Sequence, residues 1–289
     1  MAGQRFVLTL RCADVPGLVA EVSTYLFQAG CNILEAQQFD DLDTGRFFMR
    51  ILFEAINGED GMSESALRAH FQPIAERRGM EWKIRNCDSR KRVMILFSKL
   101  DHCLMDLLYR RRLGELAMDV TAIVSNHPLE AHRAFDLDGI PFHCFPVSNE
   151  TKIDQEAALW RLIEETQSEL IVLARYMQVL SQNLVSRLEG RCINIHHSFL
   201  PGFKGAKPYH QAHQRGVKLI GATSHFVTSQ LDEGPIIEQD VERISHSDSV
   251  EELVQKGRDI ERRVLAKAVR AYLEDRIILN GAKTVVFNS

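Results

Sequence analysis

VMILFSKLDHCLMDLLYRRRLGELAMDVTAIV, residues 93–124, reads as a strand, a helix and a second strand. Its first five residues, Val93 to Phe97, are apolar without alternation, the pattern of a strand covered on both faces. A helix follows over about Asp101 to Arg112 and stops at Gly114, and Val120 to Val124 is another continuous apolar run. The rhythm continues with a helix near Leu129 to Phe135, a short strand Pro141 to Phe145, and a helix from about Ile153 to Thr166. Leu170 to Leu173 and Cys192 to Ile195 are further apolar runs. Strands of this kind separated by helices predict a doubly wound, mostly parallel, Rossmann-like α/β sheet. Its ligands are expected beyond the carboxyl ends of the strands.

The tail of this region, Val250 to Leu273, sets Val250, Leu253, Val254, Ile260, Val264, Ala268 and Tyr272 on one helical face. Glu251, Lys256 and Arg263 then form a solvated outer face.

Upstream the periodicity differs. Phe6 to Cys12 alternates with period two and is broken by Asp14-Val-Pro-Gly17. Leu18, Val19, Val22, Leu26 and Phe27 recur at helical spacing, with Gly30 as the stop. Asn32 to Phe39 and Arg46 to Phe53 are two strands joined at Asp43-Thr44-Gly45. A helix over Ser63 to Arg78 ends at Gly79, and Met80 to Arg85 is a last strand. The order β-α-β-β-α-β is ferredoxin-like. Cys87-Asp-Ser-Arg-Lys-Arg92 is short and charged, so the expected division is 1–86, a linker at 87–92, and 93–289.

Composition narrows the function. The 289 residues are 45% hydrophobic and 26% charged, which is globular. A net charge of −4 gives no basic footprint for nucleic acid. No run approaches the ~18 apolar residues of a membrane span. The start of the chain runs straight into a strand pattern without a secretory signal, and the six cysteines form no CxxC pair. A cytoplasmic protein with reduced thiols is expected. No GxGxxG follows an early strand, so a dinucleotide cofactor is not expected.

Five of the eleven histidines (His196, His197, His210, His213, His225) lie in one short segment. In Asn194-Ile-His196, residues two apart on a strand project to the same side. An amide beside an imidazole at a strand's carboxyl end suits a developing oxyanion. His225 lies in Gly221-Ala-Thr-Ser-His225-Phe-Val, and Asp232 in the turn before Gly234-Pro235. An aspartate near a histidine serves as general base or relay if burial raises its pKa. Each signal alone has a plainer reading: an incidental pair, a structural histidine, a turn-forming aspartate. His210-x-x-His213 has metal-pair spacing but lacks an evident third ligand. No metal is expected.

Two resemblances sharpen this. Asp14-Val-Pro-Gly17, Gly30-Cys-Asn32 and Gly45-Arg-Phe-Phe-Met-Arg50 resemble an ACT domain, which implies either an amino-acid effector such as methionine or glycine, or an oligomer interface alone. The ordered set Asn194, His196, His225 and Asp232 resembles the formyltransferase family that uses 10-formyltetrahydrofolate, and carries those residues onto its active site. Leu173-Ala-Arg-Tyr-Met-Gln-Val-Leu-Ser181 is similar to that family's folate-binding loop, which implies that the backbone at Met177, Gln178, Val179 and Leu180 meets the pterin.

One departure carries weight. Where glycinamide ribonucleotide formyltransferases have a glycine-rich phosphate loop, this chain has Phe97-Ser-Lys-Leu-Asp-His-Cys103. Without an organised acceptor site, water becomes the nucleophile. The ACT module joined to this loop resembles the deformylase branch of the family. That implies hydrolysis of 10-formyltetrahydrofolate to formate and tetrahydrofolate, formate being a supply for purine synthesis. It also implies folate as substrate rather than cofactor, and a homo-oligomer. The competing expectations are formyl transfer to an amine, a non-catalytic folate or amino-acid sensor, and a metal hydrolase built on His210 and His213.

Overall fold

A computed structural model describes residues 3–56, 63–132, 137–148, 150–202 and 208–288. The chain divides into two compact units, each with its own sheet.

The first unit holds strand β1 (Arg5–Ala13), helix α1 (Leu18–Gln28), β2 (Cys31–Asp41), β3 (Arg46–Ala55), α2 (Glu64–Arg78) and β4 (Glu81–Asn86). The strands order as β2-β3-β1-β4, all antiparallel, which is the ferredoxin-like arrangement. Phe6, Leu8 and Leu10 alternate into a core with Leu18, Val22 and Leu26 of α1 and Leu67 and Phe71 of α2. Ser63 caps α2 by accepting from the Ala66 N–H.

The second unit follows from β5 (Lys91–Phe97): α3 (His102–Arg112), β6 (Met118–Ser125), β7 (Phe142–Cys144), α4 (Lys152–Glu165), β8 (Leu170–Leu173), α5 (Gln182–Arg187), β9 (Cys192–His196), α6 (Pro208–Arg215), β10 (Leu219–Phe226), β11 (Ile236–Arg243) and α7 (Val250–Leu273). The sheet order is β11-β10-β9-β8-β5-β6-β7. β9, β8, β5, β6 and β7 run parallel, while β10 and β11 are antiparallel additions. The residues Val93 to Phe97 are fully buried, as a central parallel strand requires. The chain leaves β5 toward β6 on one side and returns through β8 on the other, so the crevice between β5 and β8 is the switch point where such sheets bind ligands.

Several expectations change. The helix expected near Leu129 to Phe135 is, within the described residues, one 3-10 turn at Leu129–Ala131, and residues 133–136 lie outside them. The later part of the loop 198–205 also falls outside the described residues. Helices α5 and α6 were not foreseen. The C-terminal strands β12 (Ile277–Asn280) and β13 (Lys283–Val286) were not foreseen either. The boundary between units falls between Arg90 and Lys91, inside the charged segment read as a linker. Glu274–Asn280 and Val285–Ser289 belong to the first unit, whereas the sequence reading assigned everything to residue 289 to the second. Buried polar partners explain that return. Arg50 donates to the Glu274 carbonyl at 3.0 Å, Arg85 pairs with Asp275 at 2.7 Å, and Asn280 donates to Asp41 at 2.6 Å.

Candidate active site

A cavity of about 510 Å³ opens at the carboxyl ends of β8 and β9. Met177, Gln178, Val179, Leu180, Asn194, His196, His225 and Asp232 all line it. The residues that the family resemblance singled out are therefore in one place.

The loop after β8 is clamped at both ends. Ser98, the first residue past β5, accepts the Met177 N–H at 2.9 Å and donates to Asn126 at 2.7 Å. At the far end Ser181 donates its backbone N–H to Glu156 at 2.8 Å, and its hydroxyl donates to the same carboxylate. Met177 and Val179 stay exposed between the clamps, at 59% and 58%. A rigid loop presenting apolar side chains and backbone polar groups fits a flat heteroaromatic ligand. Ser98 thus ties the segment after β5 to the loop after β8.

The antiparallel pairing of β9 with β10 sets Asn194 opposite His225 and His196 opposite Thr223. His225 Nδ1 lies 2.8 Å from the Phe226 carbonyl, so that nitrogen carries the proton. Its Nε2 then accepts from the Asn194 amide at 3.3 Å, which orients that amide. His196 turns Nδ1 toward Asp232 at 3.3 Å. Its Nε2 is buried and has no hydrogen-bond partner. Asp232 Oδ1 also lies 3.7 Å from His225 Nε2, beyond hydrogen-bond distance.

Asp232 is held in place by local backbone geometry. It adopts a left-handed φ of 57°, a strained conformation of the kind found at functional sites. Two residues later Gly234 passes so close to β10 that a Cβ there would lie 1.7 Å from the Phe226 carbonyl oxygen. His196 first and His225 second hold the Asp232 carboxyl well below the usual carboxylate range, overcoming burial. The sequence expectation made general-base action conditional on a raised pKa. The shift runs the other way, because two imidazoles face the carboxylate. Asp232 is thus a fixed negative charge, not a base with a raised pKa.

Three further residues belong to the site or its wall: His197, read from the sequence only as a clustered histidine with a structural role, and Arg175 and Glu261, which were not singled out. His197 lines the cavity, and burial, reinforced by the charge of Arg175, pushes its pKa down to about 4. Arg175 lines it too, with a left-handed φ of 66°. Glu261, on the buried face of α7, accepts from Tyr209 at 2.7 Å, meets His102 Nε2 at 2.8 Å, and lies 3.4 Å from Arg175 Nε. Burial opposes its ionisation, but His102, Arg175 and Tyr209 together keep its carboxyl below the ordinary value. A charged residue on the apolar stripe of an amphipathic helix was the available signal: Glu261 sits between Ile260 and Val264. His210 and His213 are exposed on α6 and do not line the cavity.

Residues 91–269 match the Formyl transferase family, and residues 6–64 match the ACT domain. Formyltetrahydrofolate deformylase from Corynebacterium sp. (strain P-1) is 48% identical over 283 residues, covering 98% of each chain. The crystal structure of formyltetrahydrofolate deformylase from Burkholderia mallei superposes with a TM-score of 0.91 at 53% identity, covering 99% of this chain and all of that one. The Pseudomonas putida deformylase structure gives a TM-score of 0.90 at 48% identity, covering 98% and 100%.

The chain belongs to the formyltetrahydrofolate deformylase family.

In this deformylase-family chain the ACT match covers β1 through β3 and reaches the first residue of α2, and the Formyl transferase match takes in every cavity residue named above. No helix among the described residues is long and apolar enough to cross a membrane.

Proposed function

We propose that the chain hydrolyses 10-formyltetrahydrofolate to tetrahydrofolate and formate. The observation that carries the reading is the buried, unpartnered His196 Nε2 beside the oriented Asn194 amide, in the cavity bounded by the clamped loop. The pterin lies against Met177 to Leu180, which directs the N10 formyl group toward Asn194 and His196. Water bound to Asp232 attacks the formyl carbon. As the C–O bond forms, the formyl oxygen becomes an oxyanion that takes the free Asn194 N–H and the Nε2–H of protonated His196. The proton leaving the water passes through Asp232, whose depressed pKa forbids it to stay, and reaches N10. The C–N bond then breaks, releasing tetrahydrofolate and formic acid, which ionises to formate. His225 acts through Asn194 by holding its amide.

The test is a two-product assay on purified protein. Equal amounts of formate and tetrahydrofolate without an amine support hydrolysis. Silence until glycinamide ribonucleotide or another amine is added would replace it with formyl transfer. The scheme uses no metal or nucleotide, so exhaustive chelation leaves turnover unchanged.

The ACT module supports an amino-acid effector, methionine or glycine, acting on the rate, and a homo-oligomeric assembly. Calorimetry with each amino acid, rates with and without it, and sedimentation of the full chain test both. Six free thiols fit a reducing cytosol, where the formate would feed purine synthesis.

A further inference from the structure

The scheme above gives Arg175 nothing to do, although it lines the same cavity as Asn194 and His196. The residue is 8% exposed. Its Nε is buried without a hydrogen-bond partner. The nearest carboxylate, Glu261 Oε2, lies 3.4 Å from Nε, and that group already engages Tyr209 on one oxygen and His102 on the other. Among the described residues, Arg175 is also the only lysine or arginine in the cavity wall.

A guanidinium this deeply placed is costly unless its N–H donors are met. Glu261 lies on the Nε side of Arg175, and Arg175 itself lines the cavity. His197, the neighbouring titratable group, is kept neutral at physiological pH and brings no competing charge. The planar guanidinium of a residue in the cavity wall matches a carboxylate in two-point contact. The ligand is small, because on the hydrolase reading the same cavity of about 510 Å³ also holds the folate.

We propose that Arg175 is the product-side seat for formate, the small carboxylate released in this cavity. The proposal rests on the hydrolase reading. The formyl group in the substrate is neutral, so the guanidinium gains little from it. A carboxylate exists only after the C–N bond is lost and the released formic acid ionises. Arg175 therefore draws the product away from N10 and opposes re-formation of the amide. Glu261, of opposite sign and close by, fixes the guanidinium and keeps the seat weak enough for formate to leave.

The experiment is a titration of the free full-length protein with 13C-formate, followed by NMR line broadening, alongside formate inhibition of turnover. The wild type is compared with Arg175→Gln and Arg175→Lys. The expected result is saturable binding and inhibition in the wild type, weakened about tenfold or more in Arg175→Gln, as loss of a charge-assisted hydrogen bond implies. Arg175→Lys should fall between, since it keeps the charge and loses the fork. The KM for 10-formyltetrahydrofolate should move by less than about threefold in both variants. No saturable binding to the wild type, or equal binding in wild type and Arg175→Gln, overturns the seat. If Arg175→Gln does not fold, wild-type affinity retained in Arg175→Lys overturns the two-point contact. Arg175-dependent binding in a protein that does not hydrolyse its folate would instead sink the hydrolase reading and leave the anion site standing.

Discussion

Replacing Asn194 with alanine separates the oxyanion account from a merely structural one. The amide carries two N–H groups. One is directed at His225 Nε2 over 3.3 Å, a long contact, and the other is left for the formyl oxygen. Losing one such oxyanion donor costs about 2.7–4 kcal/mol of transition-state stabilisation, or roughly 100- to 1000-fold in kcat. Removing the donor to His225 costs about 1 kcal/mol of stability. Asn194 is only partly buried, so no large cavity term adds to that. The expected variant is folded, melts a few degrees early, and loses kcat with little change in KM. The assay is formate release at saturating substrate, with circular dichroism melting on the same preparation. His225→Ala should cost about tenfold by leaving the amide unoriented, and the double variant should lose less than the product of the two single losses, because both act through one hydrogen bond. A folded Asn194→Ala protein with kcat within about threefold of wild type would refute the oxyanion assignment.

The other predictions follow from the same geometry. Asp232→Asn keeps the side-chain shape but removes the charge facing His196 and His225, so kcat should fall at least as far as for Asn194→Ala while the circular dichroism spectrum is unchanged. The depressed Asp232 pKa also gives a sign: its contribution to stability is complete above the unfolded value of about 3.9 and is lost as pH falls through the lower folded value, so the variant should show a flatter acid limb in melting temperature against pH. His197 titrates near 4 in the folded protein, below its ordinary 6.5, so the unfolded chain binds the extra proton first. Stability should then drop between those two values as pH falls, and His197→Gln should reduce that slope in the same melting series. Ser98→Ala strips a partner from both the Met177 N–H and Asn126, at about 1–2 kcal/mol together, and should raise the KM for the folate several-fold with a smaller effect on kcat.

The sequence was most readable where a single period held over a whole element. Val93 to Phe97 could only be an inner parallel strand, and the stop at Gly79, with its φ of 58°, closed α2 where the pattern ended. The site residues from Met177 to Asp232 were legible through the resemblance to the formyltransferase family, since each alone has a plainer local reading. Glu261 was not, since it reaches Tyr209 and His102 only after α7 packs across the sheet, at sequence separations of 52 and 159 residues. Arg175 reads as an ordinary loop residue until its neighbours are known. The direction of the Asp232 shift was equally hidden, because it depends on two histidines approaching from different strands. The C-terminal return to the first unit rests on Arg50 and Arg85, far earlier in the chain, and no local pattern announces it.

The central claim is that water attacks the formyl carbon. The most direct measurement is turnover of 10-formyltetrahydrofolate in 18O-enriched water with no amine added, with mass analysis of the formate. The account predicts one labelled oxygen per formate and an equal yield of tetrahydrofolate. Unlabelled formate, or no formate until an amine is supplied, would contradict it.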